Sequence, residues 1–342
     1  MPSGDVIAVR AASALLVAGD EGARAACAPL LRFPGVVAVD SIPQHTAARA
    51  LLCGTSDSAA GRAVESTARR AARGAGLRVV ALEDFPGNYW DLKGGEADIV
   101  VVESETSAVL CRARLGNRCP ELWVSPSPRY DALRIRVEEL RQRYARRVRA
   151  QRLVLWAGQP ETDDAVATLQ RALPALRRLR AGLLFRAHPR DPGHARGEYR
   201  RLLDGGAIPA RDVTALPLEE CFALAPELVL TQFSSIGVEA GFYGIPAVHL
   251  LYADAGGKSL REKKGLSMLP WCTEGAAFAL ELPGGEEELL RTALGDYDAR
   301  ARVIAAFDEY FRVQAEALPA LGTRLYNHGL IESTAPHGRA SG

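Results

Sequence analysis

The chain has 342 residues, and 42 Lys and Arg stand against 41 Asp and Glu, which gives a formal net charge of +1. This length is sufficient for two domains with separate cores, and the balanced charge excludes the basic excess typical of nucleic-acid-binding proteins. No apolar run approaches the roughly 18 residues of a transmembrane segment, and the N-terminal residues lack the pattern of a signal peptide. We therefore expect a cytoplasmic protein with no nucleic-acid partner, with peripheral membrane attachment left open.

Six cysteines and six histidines are dispersed along the chain, without the short spacings of zinc sites. Most of the cysteines fall in apolar segments, where a buried free thiol is the usual state. The sequence therefore predicts neither disulfides nor a metal site.

Short apolar runs alternate with helical segments through the first 130 residues or so. Strands separated by helices indicate βαβ units and a parallel sheet covered on both faces. Ser58 or Asp57 is a candidate N-cap for the helix that begins at residue 59. Strands are predicted at 6–9, 36–39, 50–53, 77–82, 99–102 and 122–124, and helices at 23–31, 59–73 and 106–115.

A long charged helix at about 131–150 separates this half from a second half with the same alternation. Strands are predicted there at 153–156, 183–186, 213–216, 228–230, 247–251 and 277–282, and helices at 165–179, 218–224, 236–243, 286–294 and 299–314. The predicted fold class is α/β, with two doubly wound Rossmann-like domains facing each other across a cleft.

The domains are predicted at residues 1–149 and 150–299. A helix at about 300–325 is expected to pack back on the first domain, and residues 333–342 are expected to form a disordered tail. Open parallel sheets bind ligands beyond the carboxyl ends of their strands. Two such sheets, facing each other across a cleft, would suit one domain that holds a nucleotide and another that holds an acceptor.

The strand at 228–230 leads into a polar turn and a short helix. Ser234, Ser235 and Gly237 would let a phosphate approach the backbone N–H groups at the start of this helix. Glu239, one turn into the helix, would accept hydrogen bonds from a sugar diol. The alternative is that the serines only cap the helix and meet no ligand.

His188 follows the strand at 183–186, and Pro189 fixes the turn after it. A histidine there could face a diphosphate as a cation or protonate a leaving group. The less favoured alternative is that it caps the next segment or hydrogen-bonds a loop carbonyl. Arg186 and Arg190 flank it as candidate phosphate ligands, although exposed arginines are common.

Gly158 and Gln159 follow the strand at 153–156, on the nucleotide side of the predicted cleft. The acids that come next, Asp163 and Asp164, are predicted to be helix N-caps.

Glu83 and Asp84 end a central strand of the first half, and either is a candidate base for an acceptor hydroxyl. A turn-capping role is an equally good interpretation. Asn88, Tyr89 and Trp90 are candidates for the lining of the acceptor pocket, although Tyr and Trp are more often simply packed.

Several of these segments together resemble the GT-B superfamily. Residues 231–240, TQFSSIGVEA, are similar to the TDSGGxQEEA stretch of the non-hydrolysing UDP-N-acetylglucosamine 2-epimerases, and residues 124–133, VSPSPRYDAL, to their VTGNPxxDAL hinge. The resemblance assigns Glu239 to the ribose of the nucleotide and places Glu83 at the Glu of the family's VEAG segment.

The second half also resembles bacterial sialyl- and Kdo-type transferases that carry an HP motif. His188-Pro189 falls at this motif, where the epimerases have a catalytic-site histidine, and Gly158-Gln159-Pro160 resembles the QP element found beside HP. Both resemblances imply a nucleotide-sugar substrate, of UDP or CMP type, and no cofactor.

Three departures from the epimerase pattern favour transfer over epimerisation. The GDT-like turn has become Cys53-Gly54-Thr55 without an aligned carboxylate, the Gly-Gly pair has become Ser234-Ser235, and the first Glu has become Val238. The resemblance thus implies a metal-independent glycosyltransferase acting on a hydroxyl of a small-molecule or glycan acceptor, because GT-B enzymes offset the diphosphate charge with a helix dipole and cationic side chains.

Two alternatives remain: a 2-epimerase or hydrolase on the same fold, and a non-catalytic nucleotide-binding or scaffold protein. A homodimer also stays an open alternative.

Overall fold

The computed structural model of the chain describes residues 12–89, 97–131, 133, 139, 152–205, 208–313 and 316–333. The chain divides into two compact units. The first comprises Met1–Ala132 and Gln314–Gly342, and the second comprises Leu133–Val313.

The first unit contains a six-stranded sheet in the order β2-β1-β3-β4-β5-β6, in which every pair of neighbouring strands is parallel. Its strands are β1 (Ala14–Val17), β2 (Val36–Ala38), β3 (Ala50–Cys53), β4 (Arg78–Leu82), β5 (Ile99–Val102) and β6 (Glu121–Val124). Its helices are α1 (Glu21–Cys27), a 3₁₀ helix (Ala28–Arg32), α2 (Ala59–Gly74), α3 (Glu105–Leu115), a 3₁₀ turn (Gly116–Arg118) and the C-terminal helix (Ala317–Asn327).

The C-terminal helix is attached to the first unit in two ways: its apolar face packs in the core of that unit, and its N-terminal N–H groups are hydrogen-bonded by a side chain of that unit. Leu318, Leu321 and Leu325 are buried in one core cluster with Leu30 and other residues of that unit. The carboxylate of Asp131 accepts hydrogen bonds from the backbone N–H groups of residues 317 and 318, at 3.2 and 2.7 Å, and so caps the helix.

The second unit contains another all-parallel sheet, in the order β12-β11-β10-β7-β8-β9. Its strands are β7 (Leu153–Ala157), β8 (Gly182–Arg186), β9 (Ala210–Asp212), β10 (Leu228–Thr231), β11 (Ala247–Leu250) and β12 (Phe278–Leu280). Its helices are α4 (Thr162–Arg178), α5 (Pro192–Ala195), α6 (Glu198–Gly205), α7 (Leu218–Ala223), α8 (Ser235–Gly241), α9 (Gly256–Lys264), α10 (Pro270–Thr273), α11 (Glu286–Gly295) and α12 (Tyr297–Tyr310).

Two six-stranded parallel sheets flanked by helices confirm the predicted doubly wound α/β class. The central strands β7, β10 and β11 are almost entirely buried, as expected for a sheet covered on both faces. Within the described part of the chain, no helix is long and apolar enough to cross a membrane.

One predicted strand lies at a different position, and one predicted helix cap is wrong. The strand predicted at 213–216 is β9, three residues earlier and fully exposed, because an edge strand needs no apolar pattern. Asp163 and Asp164 lie in the first turn of α4, whose N-cap position is Glu161, so neither is the predicted cap. Ser58 does cap α2, accepting a hydrogen bond from Gly61 N at 3.1 Å.

Three predictions fall wholly or mainly outside the described residues: the strand at 6–9, the charged helix at 131–150 and the tail at 333–342. Trp90 also lies outside them.

Candidate functional site

The second sheet changes its direction of winding between β7 and β10. From β7 the chain moves outward to β8 and β9, then returns to β10 and continues outward on the other side to β11 and β12. Read from its first strand, this is the strand order of the dinucleotide-binding Rossmann fold, in which the ligand lies beyond the carboxyl ends at the switch point. Thr231 Oγ1 donates to the carbonyl of Ala157 at 2.7 Å and joins the ends of the two switch-point strands.

Ser234 and Ser235 form the turn from β10 into α8. Ser234 is the N-cap of α8, and its Oγ accepts from Ile236 N at 3.3 Å. Ser235 Oγ lies 3.4 Å from Glu239 Oε1, so the hydroxyl and the carboxylate occupy the same side of the helix. Both side chains are partly exposed. The structure thus brings Ser235 and Glu239 together, as the sequence predicted, while Ser234 also fulfils the capping alternative.

Beneath α8, a buried histidine holds the turn in place. A Cβ on Gly237 would come within 2.9 Å of His249 Cε1, so α8 packs directly on β11. His249 Nδ1 is 2.7 Å from the carbonyl of Gln232, and its Nε2 accepts from Trp271 Nε1 at 3.2 Å. Burial lowers the pKa of His249 to about 4. The ring is therefore neutral with its proton on Nδ1, and it donates to the Gln232 carbonyl.

Gly158 and His188 follow β7 and β8 and lie side by side. Gly158 N donates to the Arg186 carbonyl at 2.9 Å, and a Cβ on Gly158 would lie 3.4 Å from His188 N. His188 Nδ1 accepts from Arg190 N at 3.1 Å, so a neutral ring carries its proton on Nε2. Gln159 is buried. The structure therefore places Gly158, Gln159 and His188 at one edge of the sheet, next to the switch point.

The two candidate arginines differ in their surroundings. Arg186 donates to the carbonyls of Val213, Thr214 and Leu216, which ties β8 to the segment after β9. These bonds give Arg186 a structural role that the sequence did not predict. Arg190 is exposed.

In the first unit, Glu83 lies buried at the end of β4. Its Oε1 accepts from the hydroxyl of Tyr89, and its Oε2 accepts from Glu103 N at 2.8 Å. Burial, together with repulsion from Glu103, raises the pKa of Glu83 to about 8. Tyr89 is itself fully buried. Glu83 is therefore a neutral acid at pH 7 and is held in a fixed orientation.

Asp84 occupies a more open position on the same edge. Its Oδ1 accepts from Thr55 Oγ1 at 2.9 Å and from Asn88 Nδ2 at 2.8 Å, and it is partly exposed. Arg129 donates to the Asp84 carbonyl at 3.2 Å. Asp84 and Asn88 are thus brought together as candidate site residues, and the carboxylate of Asp84 reaches the Gly54-Thr55 turn.

Sequence reasoning missed Glu103, which ends β5 as Glu83 ends β4. Burial raises its pKa to about 7, against the opposing effect of Arg129. The rule that polar residues at carboxyl ends mark a site would have found it. Within the described ranges, no group of three or more His, Cys, Asp or Glu side chains is placed to hold a metal ion.

The switch point of the first sheet, between β1 and β3, is filled by the chain itself. Glu65 of α2 is completely buried, and its Oε1 accepts from Gly19 N at 2.9 Å and from Ser56 Oγ at 2.7 Å. Its Oε2 accepts from Ser56 N at 2.9 Å. Asp20, at the end of the loop after β1, caps α1 and accepts from Ser58 N at 2.9 Å. Two carboxylates thus occupy the backbone N–H groups that an anionic ligand would use.

Protein-family models gave no match to this chain, and neither did curated protein sequences. Solved structures, in contrast, match this chain. The S. aureus MnaA–UDP co-structure matches with a TM-score of 0.61 and 13% identity, over 96% of this chain and 100% of that chain.

Two further structures match over a similar length. The UDP-GlcNAc 2-epimerase from Neisseria meningitidis bound to UDP-GlcNAc has a TM-score of 0.61 and 10% identity, covering 92% of this chain and 99% of its own. A ugt transferase from Siraitia grosvenorii in complex with UDP has a TM-score of 0.54 and 12% identity, over 93% of this chain and 99% of that chain. At these identities the likeness concerns the fold.

Proposed function

We propose that this chain, which has the GT-B fold, transfers a glycosyl group from a nucleotide sugar to an acceptor hydroxyl without a metal ion. The second unit would hold the nucleotide-sugar donor, of UDP or CMP type, and the first unit the acceptor. Similar folds bound to UDP support the choice of ligand, since UDP is present in the S. aureus and Siraitia grosvenorii structures.

One observation carries the proposal. Three neighbouring strands of the second sheet, β8, β7 and β10, end in His188, Gly158 and the Ser234–Ser235 turn around a single switch point. A histidine N–H, a glycine backbone and a serine hydroxyl paired with a carboxylate are groups that suit a phosphate and a sugar diol.

The roles follow from this geometry. The attacking hydroxyl would form a bond to the anomeric carbon as the bond from that carbon to the nucleotide's phosphate oxygen breaks. His188 would present Nε2–H to the leaving phosphate, and Glu239 would accept from the ribose hydroxyls. Asp84 suits the removal of the hydroxyl proton better than Glu83, because Glu83 is buried and protonated at neutral pH.

Nucleotide binding tests the donor site directly. Thermal shift with UDP, CMP, GDP and dTDP should identify one base that raises the melting temperature. We expect Glu239→Ala to reduce the affinity for that nucleotide by about tenfold or more, because roughly one charge-assisted hydrogen bond is lost. His188→Ala should reduce turnover by about a hundredfold or more if it acts as an acid.

Glu262→Ala is the matched control, since Glu262 is an exposed glutamate of the same unit. The affinity of this variant for the nucleotide should equal that of the wild type. If the Glu239 and Glu262 variants bind the nucleotide equally well, the donor does not lie at the β7–β10 switch point.

A nucleotide-sugar 2-epimerase or hydrolase is the second candidate, and the position of Asp84 favours it. The sequence has no carboxylate in the Gly54-Thr55 turn, but Asp84 supplies one by accepting from Thr55 Oγ1. Incubation with UDP-GlcNAc alone separates the candidates. Isomerised or hydrolysed sugar formed without any acceptor, and abolished by Asp84→Asn, would favour the second candidate over transfer.

A further inference from the structure

The loop that carries His188 ends in a buried carboxyl group, that of Asp191. Asp191 is the N-cap of α5, and its Oδ1 accepts a hydrogen bond from Gly193 N at 2.8 Å. The same oxygen accepts from the hydroxyl of Thr162, and Oδ2 accepts from the hydroxyl of Tyr199. Capping a four-residue helix needs only the first of these bonds. The other two join Asp191 to α4 and α6, and their purpose is not explained by the cap.

The bond to Thr162 connects the loop after β8 with the loop after β7. Thr162 is the first residue of α4 and directly follows the turn at residues 158–161. Gly193 N also donates to Thr162 Oγ1, at 3.2 Å, and a Cβ on Gly193 would lie only 2.1 Å from Thr162 Cγ2. The two loops are therefore in direct contact at this point, and the carboxyl group of Asp191 lies at the contact.

The bond to Tyr199 anchors the same carboxyl group in the core of the second unit. Tyr199 is buried on α6, and its ring centroid lies 4.7 Å from that of Phe185 on β8. Burial, together with the hydrogen bond to Asp191, raises the pKa of Tyr199, so the hydroxyl keeps the proton that it donates. Asp191 is thus held by neutral donors from two helices whose positions are fixed by packing.

His188 is tied to Asp191 within one turn. Asp191 N donates to the His188 carbonyl at 2.9 Å, which holds the backbone of the histidine. Arg190 N donates to His188 Nδ1 at 3.1 Å, which holds its ring. Because Arg190 lies between the two, a displacement of Asp191 would change both bonds. The direction of the His188 ring therefore depends on where Asp191 is held.

We propose that Asp191 is a positioning residue of the donor site: it sets the spacing of the loops after β7 and β8 and so directs His188 Nε2–H toward the phosphate of the donor. This inference rests on the proposed glycosyl transfer. The oxygens of Asp191 are engaged by Thr162, Gly193 and Tyr199, so Asp191 acts through His188 and not on the donor itself. Since all these donors are neutral, the requirement is for an acceptor of the right shape and not for a charge.

Three variants and one control test the proposal. Asp191→Ala removes the acceptor, whereas Asp191→Asn keeps an oxygen for Thr162 and Gly193 and offers its amide to the Tyr199 hydroxyl, so it should restore the wild-type behaviour. Tyr199→Phe removes one donor and keeps the buried ring, which makes it the test in a chain that retains its packing. Asp296→Ala is the matched control, because it removes the N-cap carboxylate of α12 in the same unit.

The first measurement needs no ligand. Solvent exchange of the Arg190 amide, followed by NMR, reports the hydrogen bond to His188 Nδ1. We expect exchange to be about tenfold faster in Asp191→Ala and about threefold faster in Tyr199→Phe, and within about twofold of the wild type in Asp191→Asn and in the control. Unchanged exchange in both Asp191→Ala and Tyr199→Phe would overturn the proposal. If Asp191→Ala does not fold, Tyr199→Phe decides.

A double-mutant cycle with His188→Ala separates positioning from a general effect on the fold. The affinity for UDP, or for CMP if UDP does not bind, is measured by titration calorimetry. Asp191→Ala should lower this affinity about tenfold in the wild-type chain but about twofold or less in the His188→Ala chain, because the contact that it directs is then absent. Tyr199→Phe should show the same pattern with a smaller effect. An equal loss in both chains would mean that Asp191 only stabilises the fold, which contradicts the proposal.

The two measurements distinguish this proposal from the proposed function. If neither nucleotide binds while exchange at Arg190 still depends on Asp191, the proposed function fails and the positioning of His188 stands. If a nucleotide binds and the cycle shows no coupling between Asp191 and His188, the positioning role is wrong and the donor assignment is unaffected.

Discussion

Glu83 and Asp84 are neighbours in sequence with different environments. The carboxyl group of Glu83 lies between the Tyr89 hydroxyl and the Glu103 backbone, and its pKa is raised to about 8 by burial and by repulsion from Glu103. The carboxylate of Asp84 is partly exposed and is held by Thr55 and Asn88. At neutral pH, only the latter is placed to accept a proton from a substrate.

Glu83→Gln is expected to reduce the pH dependence of stability. Folded Glu83 keeps its proton up to a pH of about 8, whereas an unfolded glutamate loses it near about 4.3. The stability due to this proton is fully present below the unfolded pKa and is lost as pH rises through the folded pKa. Gln keeps a similar donor and acceptor with no proton to lose. Urea unfolding at about pH 6 and about pH 9 should show a smaller decrease for the variant; equal decreases would place the titration elsewhere.

His249 is expected to have the opposite effect on the pH dependence of stability: it should make the protein less stable in acid. Its folded pKa is lowered to about 4, below the unfolded value of about 6.5. The unfolded chain therefore takes up this proton first as pH falls, and folding becomes less favourable between those values. Between about pH 7 and about pH 5, the free energy of unfolding should decrease by about 2 kcal/mol because of this group.

His249→Leu tests this assignment. The variant should be less stable at neutral pH because the Gln232 carbonyl and the Trp271 N–H lose their partner. It should also lose less stability in acid than the wild type. Chemical denaturation at the two pH values measures both effects, and an unchanged acid slope would show that His249 is not the titrating group.

Single candidate residues could be predicted where one rule applied: a polar residue directly after a buried strand. That rule found Glu83, Asp84, His188 and the two serines. It did not reveal that Arg186 donates to the carbonyl of Thr214 or that the Tyr89 hydroxyl donates to the carbonyl of Ser107, because those contacts join segments far apart in sequence.

Among the secondary-structure elements, α2 is joined to the loops after β1 and β3 by one buried side chain. Glu65 of α2 accepts hydrogen bonds from the loops that follow both strands, at Gly19 and Ser56. Burial raises the pKa of Glu65, but Ser56 and Gly19 oppose that effect by donating to the carboxylate. The three hydrogen bonds fix the Glu65 carboxyl group between the two loops.

Glu65→Ala should destabilise the first unit by about 3 kcal/mol, because two backbone N–H groups and a buried hydroxyl lose their acceptor. Hydrogen exchange measured by mass spectrometry should show faster exchange in the loops after β1 and β3. Glu105→Ala, an exposed glutamate in the first turn of α3, is the control and should cost about 0.5 kcal/mol or less. A similar small effect for Glu65→Ala would mean that the loops hold their positions without it.

Element prediction worked best for long amphipathic helices and for buried strands. It overlooked β1, Ala14–Val17, because this four-residue apolar run stands in an alanine-rich stretch that has no turn signal before it. It merged α1 with the 3₁₀ helix that begins before Pro29. Such boundaries depend on tertiary packing, which a local pattern does not contain.

Over the whole chain, the two sheets share one winding principle but differ at their switch points. In the second unit, the crevice between β7 and β10 is bordered by Gly158 and the serine turn. In the first unit, the crevice between β1 and β3 contains Glu65. The alternation of strands and helices predicts both sheets. Which crevice is filled depends on a residue in the middle of α2, which no strand-end pattern could reveal.

The chain returns to its first unit at the C-terminal helix, and the cap of that helix is testable. Asp131 accepts from the N–H groups of residues 317 and 318 across more than 180 residues of sequence. Removing this carboxylate leaves two helix-terminal donors without a side-chain acceptor, which should cost about 1–2 kcal/mol. We expect Asp131→Ala to increase hydrogen exchange in the C-terminal helix and in the 3₁₀ helix that packs with it.

Asp296→Ala is the reciprocal control, since Asp296 caps α12 of the second unit by accepting from Ala299 N at 2.9 Å. Its effect on exchange should be confined to α12 and its neighbours. If the Asp131 variant accelerates exchange in the second unit as strongly as in the first, the C-terminal helix is not a local part of the first core. Confined effects in both variants would mean that residues 317–327 complete a core that begins 300 residues earlier, at β1.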